Sequence, residues 1–114
     1  MSKVFPPFDH AAACAEFSLA VPENFNFAFD VVGKRAREND KIALIAIDRS
    51  GEQVETHSYS DLDRGASQFA NALLDIGIVK GDYAFVMMPR IPEWYHVLLG
   101  CTKLGVVSMP GTNL

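Results

Sequence analysis

The sequence predicts an α/β fold, and two patterns carry that expectation. Residues 83–88, YAFVMM, and 106–109, VVSM, are short apolar runs on either side of a helical stretch. In that stretch Trp94, Val97, Leu98, Cys101 and Leu104 recur at the spacing of one helix face. Strand, helix and strand of these lengths make a βαβ parallel unit with a right-handed crossover. Upstream, IALIAI over residues 42–47 and the alternating residues 53–58 flank a turn at residues 48–51. That pattern reads as an antiparallel β-hairpin.

Each element has its own local reason. Residues 1–24 carry breaks at Pro6, Pro7 and Pro22 and read as an N-terminal arm, with a short helix over 10–17. Asn26 is placed to cap a helix over 27–37, with Phe29, Val32 and Ala36 on its inner side. Lys34, Arg35 and Arg37 complement its C-terminal dipole, and Asn39-Asp40 ends it. The six apolar residues 42–47 predict a strand covered on both faces. The polar residues 53–58 predict an edge strand beside it. Ser60 and Asp63 suggest a capping box that starts the next helix. Leu62, Ala66, Phe69, Leu73 and Ile76 form one stripe facing a core, and Gly77 ends the helix. Lys80-Gly81-Asp82 is a turn into the buried strand 83–88. Pro92 suits the first turn of the following helix and Gly105 its end. Residues 110–112, Pro-Gly-Thr, read as a turn.

Composition excludes several classes. A hydrophobic fraction of 49% with eight Phe argues against disorder. Ten basic against fourteen acidic residues, a net charge of −4, argue against a nucleic-acid partner. The N-terminus lacks the pattern of a secretory signal, and no apolar run reaches the length of a membrane span. Cys14 and Cys101 have neither metal-site nor disulfide-scaffold spacing. Both read as small buried hydrophobes, with a reducing cytoplasm as the expected setting.

Little here carries chemistry. Neither GxxxxGK[ST] nor GxGxxG occurs, and GIVKG over 77–81 leads into a strand, so it reads as a turn. Glu93 and His96 have the i, i+3 spacing of a carboxylate–histidine metal pair, but a solvated helix face is the preferred reading. His57 and Ser58 lie on the edge strand, without a partner set for nucleophilic catalysis. Arg90 stands where a parallel strand hands over to a helix, a frequent ligand locus. An anion contact and a surface ion pair or helix-packing role stay open for it. Trp94 lies on the apolar stripe, so core packing is expected. No catalytic and no metal-ligating residue is assigned.

Several stretches together resemble a known family. They are Phe25-Asn26-Phe27-Ala28, Ser58-Tyr59-x-Asp61-Leu62, Phe69-Ala70-Asn71-Ala72-Leu73 and Lys80-Gly81-Asp82. Pro89-Arg90-Ile91-Pro92-Glu93-Trp94, Lys103-Leu104-Gly105 and Pro110-Gly111-Thr112 continue the series. Their order and spacing over residues 24–114 resemble the N-terminal region of AMP-forming acyl-CoA synthetases of the adenylate-forming superfamily. The medium-chain fatty acid branch is the most similar. The superfamily's first core motif, Leu-Thr/Ser-Tyr-x-Glu-Leu, here reads His57-Ser58-Tyr59-Ser60-Asp61-Leu62. The second, Leu-Lys-Ala-Gly-x-x-x-x-Pro, reads Thr102-Lys103-Leu104-Gly105 with Pro110 after four residues. Both motifs mainly shape the fold.

The resemblance implies that residues 25–114 are the N-terminal portion of an AMP-binding domain, incomplete as given. It implies a ligase that joins a carboxylic (fatty) acid to CoA, using ATP and Mg²⁺, through an acyl-adenylate. The phosphate loop, ribose-binding Asp, metal-binding Glu and mobile Lys of that chemistry come later in the family's chain. The isolated 114 residues are therefore expected to be inactive and to bind none of these cofactors strongly. The resemblance places Thr112 and Leu114 beside the CoA channel, with Leu114 where a polar residue is usual. The rival readings are a free-standing α/β binding module and a subunit completed by a separate chain.

Overall fold

The structure, a computed structural model, describes residues 7–111. Its centre is a helical layer. A π-helical stretch, Ala28–Gly33, passes into helix α2, Lys34–Glu38. Helix α3, Tyr59–Asp75, lies between this pair and helix α4, Glu93–Leu104. Ala28, Val32, Leu62, Ala66 and Leu99 make the buried core, with Ala43, Leu44 and Tyr59 packed against it. Helices α3 and α4 approach closely because two glycines face the contact. A Cβ on Gly100 would stand 2.8 Å from the Ala66 carbonyl oxygen, and one on Gly65 2.6 Å from the His96 ring.

Two small sheets flank this layer. Strands β1, Ile42–Ile47, and β2, Val54–Ser58, pair antiparallel from Ile42↔Ser58 to Ile47↔Val54, with a register shift between Ile42 and Leu44. Strands β3, Tyr83–Met87, and β4, Val107–Gly111, pair parallel from Tyr83↔Val107 to Met87↔Gly111. The hairpin and the βαβ unit are thus both present, and the mixed α/β class holds. Helix α1, His10–Glu16, is capped by Asp9 and buries no residue. Among the described residues no helix is long and apolar enough to cross a membrane.

Several local expectations are corrected. The cap of α3 is Ser58, not Ser60, because β2 ends in extended backbone at Ser58 (φ −79, ψ 170) and turns directly into the helix. Ser60 instead donates its N–H to Asp40 Oδ1 at 2.9 Å. Pro110 and Gly111 belong to β4 rather than to a turn. Strand β1 is not covered on both faces: Ile42, Ile45 and Ile47 are exposed. Nor is β3 buried as a whole, since only Val86 is. Ile76 lies beyond the end of α3 and is exposed. Cys14 is exposed on α1, which buries no residue, while Cys101 is buried in the α4 face as expected. Gly77 and Gly105 end their helices at φ +86 and +77, as the left-handed position requires.

Candidate functional site

Several of the residues that carry the family resemblance, Asn26, Ser58, Asp61 and Lys103, lie along one helical seam. Ser58 Oγ accepts the Asp61 N–H at 3.2 Å, and Asp61 Oδ2 accepts the Ser58 N–H at 2.9 Å. This reciprocal pair satisfies two free donors at the start of α3. Arg64 Nη2 donates to Asp61 Oδ1 at 2.6 Å. The Ser58 backbone N–H, then its hydroxyl and Arg64, hold the Asp61 carboxyl below the ordinary range. Asp in place of Glu therefore still closes the box.

Lys103 crosses from α4 to α3. Its side chain is only 7% exposed, and its Nζ donates to Asp63 Oδ1 at 2.8 Å, Ser67 Oγ at 2.7 Å and the Asp63 carbonyl at 3.3 Å. It also stands 5.0 Å over the Phe29 ring. An ammonium buried this far needs such partners, because an unpaired buried charge is costly. One residue earlier, Asn26 Nδ2 donates to the Thr102 carbonyl at 2.7 Å, while Asn26 Oδ1 accepts the Ala28 N–H at 3.0 Å. Asn26 thus caps its own helix and ties it to α4. Sequence reading placed Asn26, Ser58, Asp61 and Lys103 in motifs, took Asp63 for a capping partner of Ser60 and Phe29 for a helix-packing residue, and did not single out Ser67. A lysine among apolar residues near the end of α4 was the available signal that a carboxylate faces it.

A cleft opens on the other side, between β1 and the segment leading into α4. It has a volume of about 390 Å³ and is lined by Leu44–Ile47, Met88, Arg90, Ile91, Pro92, Trp94 and Tyr95. Trp94 is half-buried and lines this cleft rather than the packed core. Arg90 is exposed at its wall, and among the described residues it has no ion-pair partner. Among the described residues this is therefore an apolar trough with one cation free of an ion pair, and no nucleophile or base lines it.

The other candidates separate. His96 does not sit on a solvated face; its ring lies against Gly65, and its buried Nε2 has no hydrogen-bond partner among the described residues. His57 Nε2 lies 3.7 Å from Glu55 Oε2, too long for a hydrogen bond, and joins no catalytic set. Burial pushes the Cys101 thiol up, which keeps it unreactive. No group of three metal-ligating side chains exists among the described residues. Thr112 and Leu114 lie outside the described residues.

Comparison with known proteins fits this seam. The sequence model of the AMP-binding enzyme family matches residues 32–112. The chain belongs to that family. It is 38% identical over 100 residues to the mitochondrial acyl-coenzyme A synthetase ACSM2 of Rattus norvegicus, covering 82% of this chain and 17% of the relative. An acyl-CoA synthetase of Brucella canis superposes with a TM-score of 0.66 at 27% identity, covering 89% of this chain and 18% of that one. A fatty acid AMP ligase of Legionella pneumophila gives a TM-score of 0.66 at 29% identity, over 75% and 15% of the two chains. The resemblance to acyl-CoA synthetases is thereby shown, and so is the adenylate-forming fold. The chain spans less than a fifth of the length of these relatives.

Proposed function

We propose that these residues form the N-terminal portion of an AMP-forming acid–CoA ligase, and that their part in it is architectural. The carrying observation is that the matched region, 32–112, contains the Ser58–Asp61 box and the Lys103–Asp63–Ser67 link, both used for packing. The reaction proposed for the whole protein joins a carboxylic acid to CoA, with ATP and Mg²⁺, through an acyl-adenylate. The described residues do not themselves fit Mg-ATP. They have no ligating cluster, and the buried ammonium of Lys103 is committed to Asp63 and Ser67. The proposal extends to an arm over 1–24, a body over 25–114, and a CoA-channel position for Thr112 and Leu114.

A cytoplasmic setting without a nucleic-acid partner completes the reading. The free thiols and the net charge of −4 support it. The mitochondrial relative makes that organelle the alternative, and cell fractionation separates the two. The test of function is ATP–pyrophosphate exchange by the purified 114-residue polypeptide with Mg²⁺, fatty acids and CoA. No exchange is expected, and robust turnover sinks the architectural reading. The Arg90 cleft favours one rival, a free-standing binding module. A fatty acid that raises the melting temperature of the isolated chain, with the rise lost in Arg90→Ala, would establish it.

A further inference from the structure

The two thiols of the chain differ in every respect that governs reactivity. Cys101 is buried in the α4 face, and burial pushes its thiol up. Cys14 is exposed on α1, which buries no residue. His10 stands one helical turn before Cys14, so the two side chains leave the same face of α1. The Cys14 Sγ lies 3.6 Å from His10 Nε2 and 3.8 Å from His10 Nδ1, within reach of a sulfur hydrogen bond. A neutral imidazole carries one donor and one acceptor nitrogen, so either tautomer offers the thiol an acceptor. The Phe8 ring packs edge-on against the same imidazole, with centroids 6.4 Å apart and planes at 73°. A nucleophile with a base in reach is the arrangement that activates a thiol.

The surface around this pair is apolar. Residues 11–13 are alanines, and Phe8 and Phe17, before and after α1, are exposed. Such a surface suits an electrophile that brings an apolar group. Disulfide or sulfenic acid formation at Cys14 would need an oxidant. Transfer of an acyl group from a thioester needs none, and an acyl thioester is the product of the reaction proposed above.

We propose that Cys14, with His10 as its base, is an S-acylation site that accepts the acyl group of an acyl-CoA thioester. The choice of donor rests on the reading of the whole protein as an acid–CoA ligase, which makes that thioester. The Cys14 thiol passes its proton to His10, and the sulfur attacks the thioester carbonyl. The carbonyl carbon's bond to the CoA sulfur then breaks, and the departing CoA thiolate takes the proton back from His10. One thioester is exchanged for another, so nothing is oxidised or reduced. The acyl chain left on Cys14 extends the apolar surface of α1.

The test is incubation of the 114-residue chain with octanoyl-CoA, followed by intact mass and peptide mapping. One octanoyl adduct is expected on Cys14, with Cys101 unmodified, and hydroxylamine should remove it. Cys14→Ser is expected to abolish the adduct. His10→Ala, which keeps α1 because alanine favours a helix, is expected to slow its formation by about tenfold or more. Added imidazole should restore the rate in His10→Ala and do nothing for Cys14→Ser. Equal rates in wild type and His10→Ala overturn the proposal, and so does a slow His10→Ala chain that imidazole fails to rescue. Labelling that falls on lysines or on Cys101 also overturns it. A Cys14 that takes up glutathione from oxidised glutathione but no acyl group is a redox thiol, and the inference fails. Because the acyl-CoA is supplied, each of these failures leaves the ligase reading standing.

Discussion

The helical centre and the two sheets are built from the same kinds of residue but have reached different states. Between α3 and α4 the two glycines and the buried lysine each have a matching surface: Gly100 against Ala66 and Phe69, Gly65 against His96, Lys103 against Asp63 and Ser67. The sheets instead show their largest apolar side chains to solvent, Ile45 and Ile47 on one and Tyr83, Phe85 and Met87 on the other. The close helix packing finds its partners within the described residues. Sheet faces need a second layer, and these strands have it on one side only. Stability should therefore be concentrated in the helical seam, and association in the sheets.

The sharpest way to break that contrast is to strand the buried ammonium. Asp63→Ala removes its carboxylate and should destabilise the chain by about 3 kcal/mol in a urea titration. The low end of the range applies because the Asp63 side chain is 31% exposed. Asp63→Leu combined with Lys103→Met should recover most of that loss, since no charge is then left unpaired. Gly100→Ala should come next, at about 1–3 kcal/mol by the same measurement, because its Cβ meets backbone that cannot swing away. Ser58→Ala should lose about 1 kcal/mol as the α3 cap opens. On the sheets, Phe85→Lys should change the stability of the lone chain by less than about 0.5 kcal/mol while reducing dye binding and aggregation. A large loss there would show that the β3 face is already packed.

The cap also has a pH signature. Asp61 is held below its ordinary value in the folded chain, chiefly by the Ser58 N–H. Its contribution is then fully present above the unfolded carboxylate value near 3.9 and is lost as pH falls through the lower folded value. Wild type and Asp61→Asn should differ in stability at neutral pH and draw together in acid, where the Asp61 charge is lost. Thermal melts between these limits check the sign.

Much of this fold was legible because its signals are local. The stripe Leu62, Ala66, Phe69 and the stops at Gly77 and Gly105 mark helices by periodicity and backbone conformation, which need no tertiary partner. The capping box was misread by two residues because Ser58 and Ser60 both precede a carboxylate three positions on, and only the end of β2 selects between them. Burial of IALIAI and YAFVMM was overstated for another reason. An apolar run records the environment in which a strand finishes, and the described residues supply one of its two covering layers.

The candidate site divides in the same way. Residue order alone was sufficient for the α/β class, the hairpin, the parallel unit and the resemblance to acyl-CoA synthetases, because each rests on spacing along the chain. Tertiary structure decided that Lys103 reaches Asp63 across 40 residues of sequence, and that Arg90 and Trp94 share a cleft with β1. It also decided that Pro110 lies in β4, opposite Val86. Those facts depend on which groups meet in space once loops have closed, and a one-dimensional pattern does not encode the direction in which a buried charge or an unpaired N–H points.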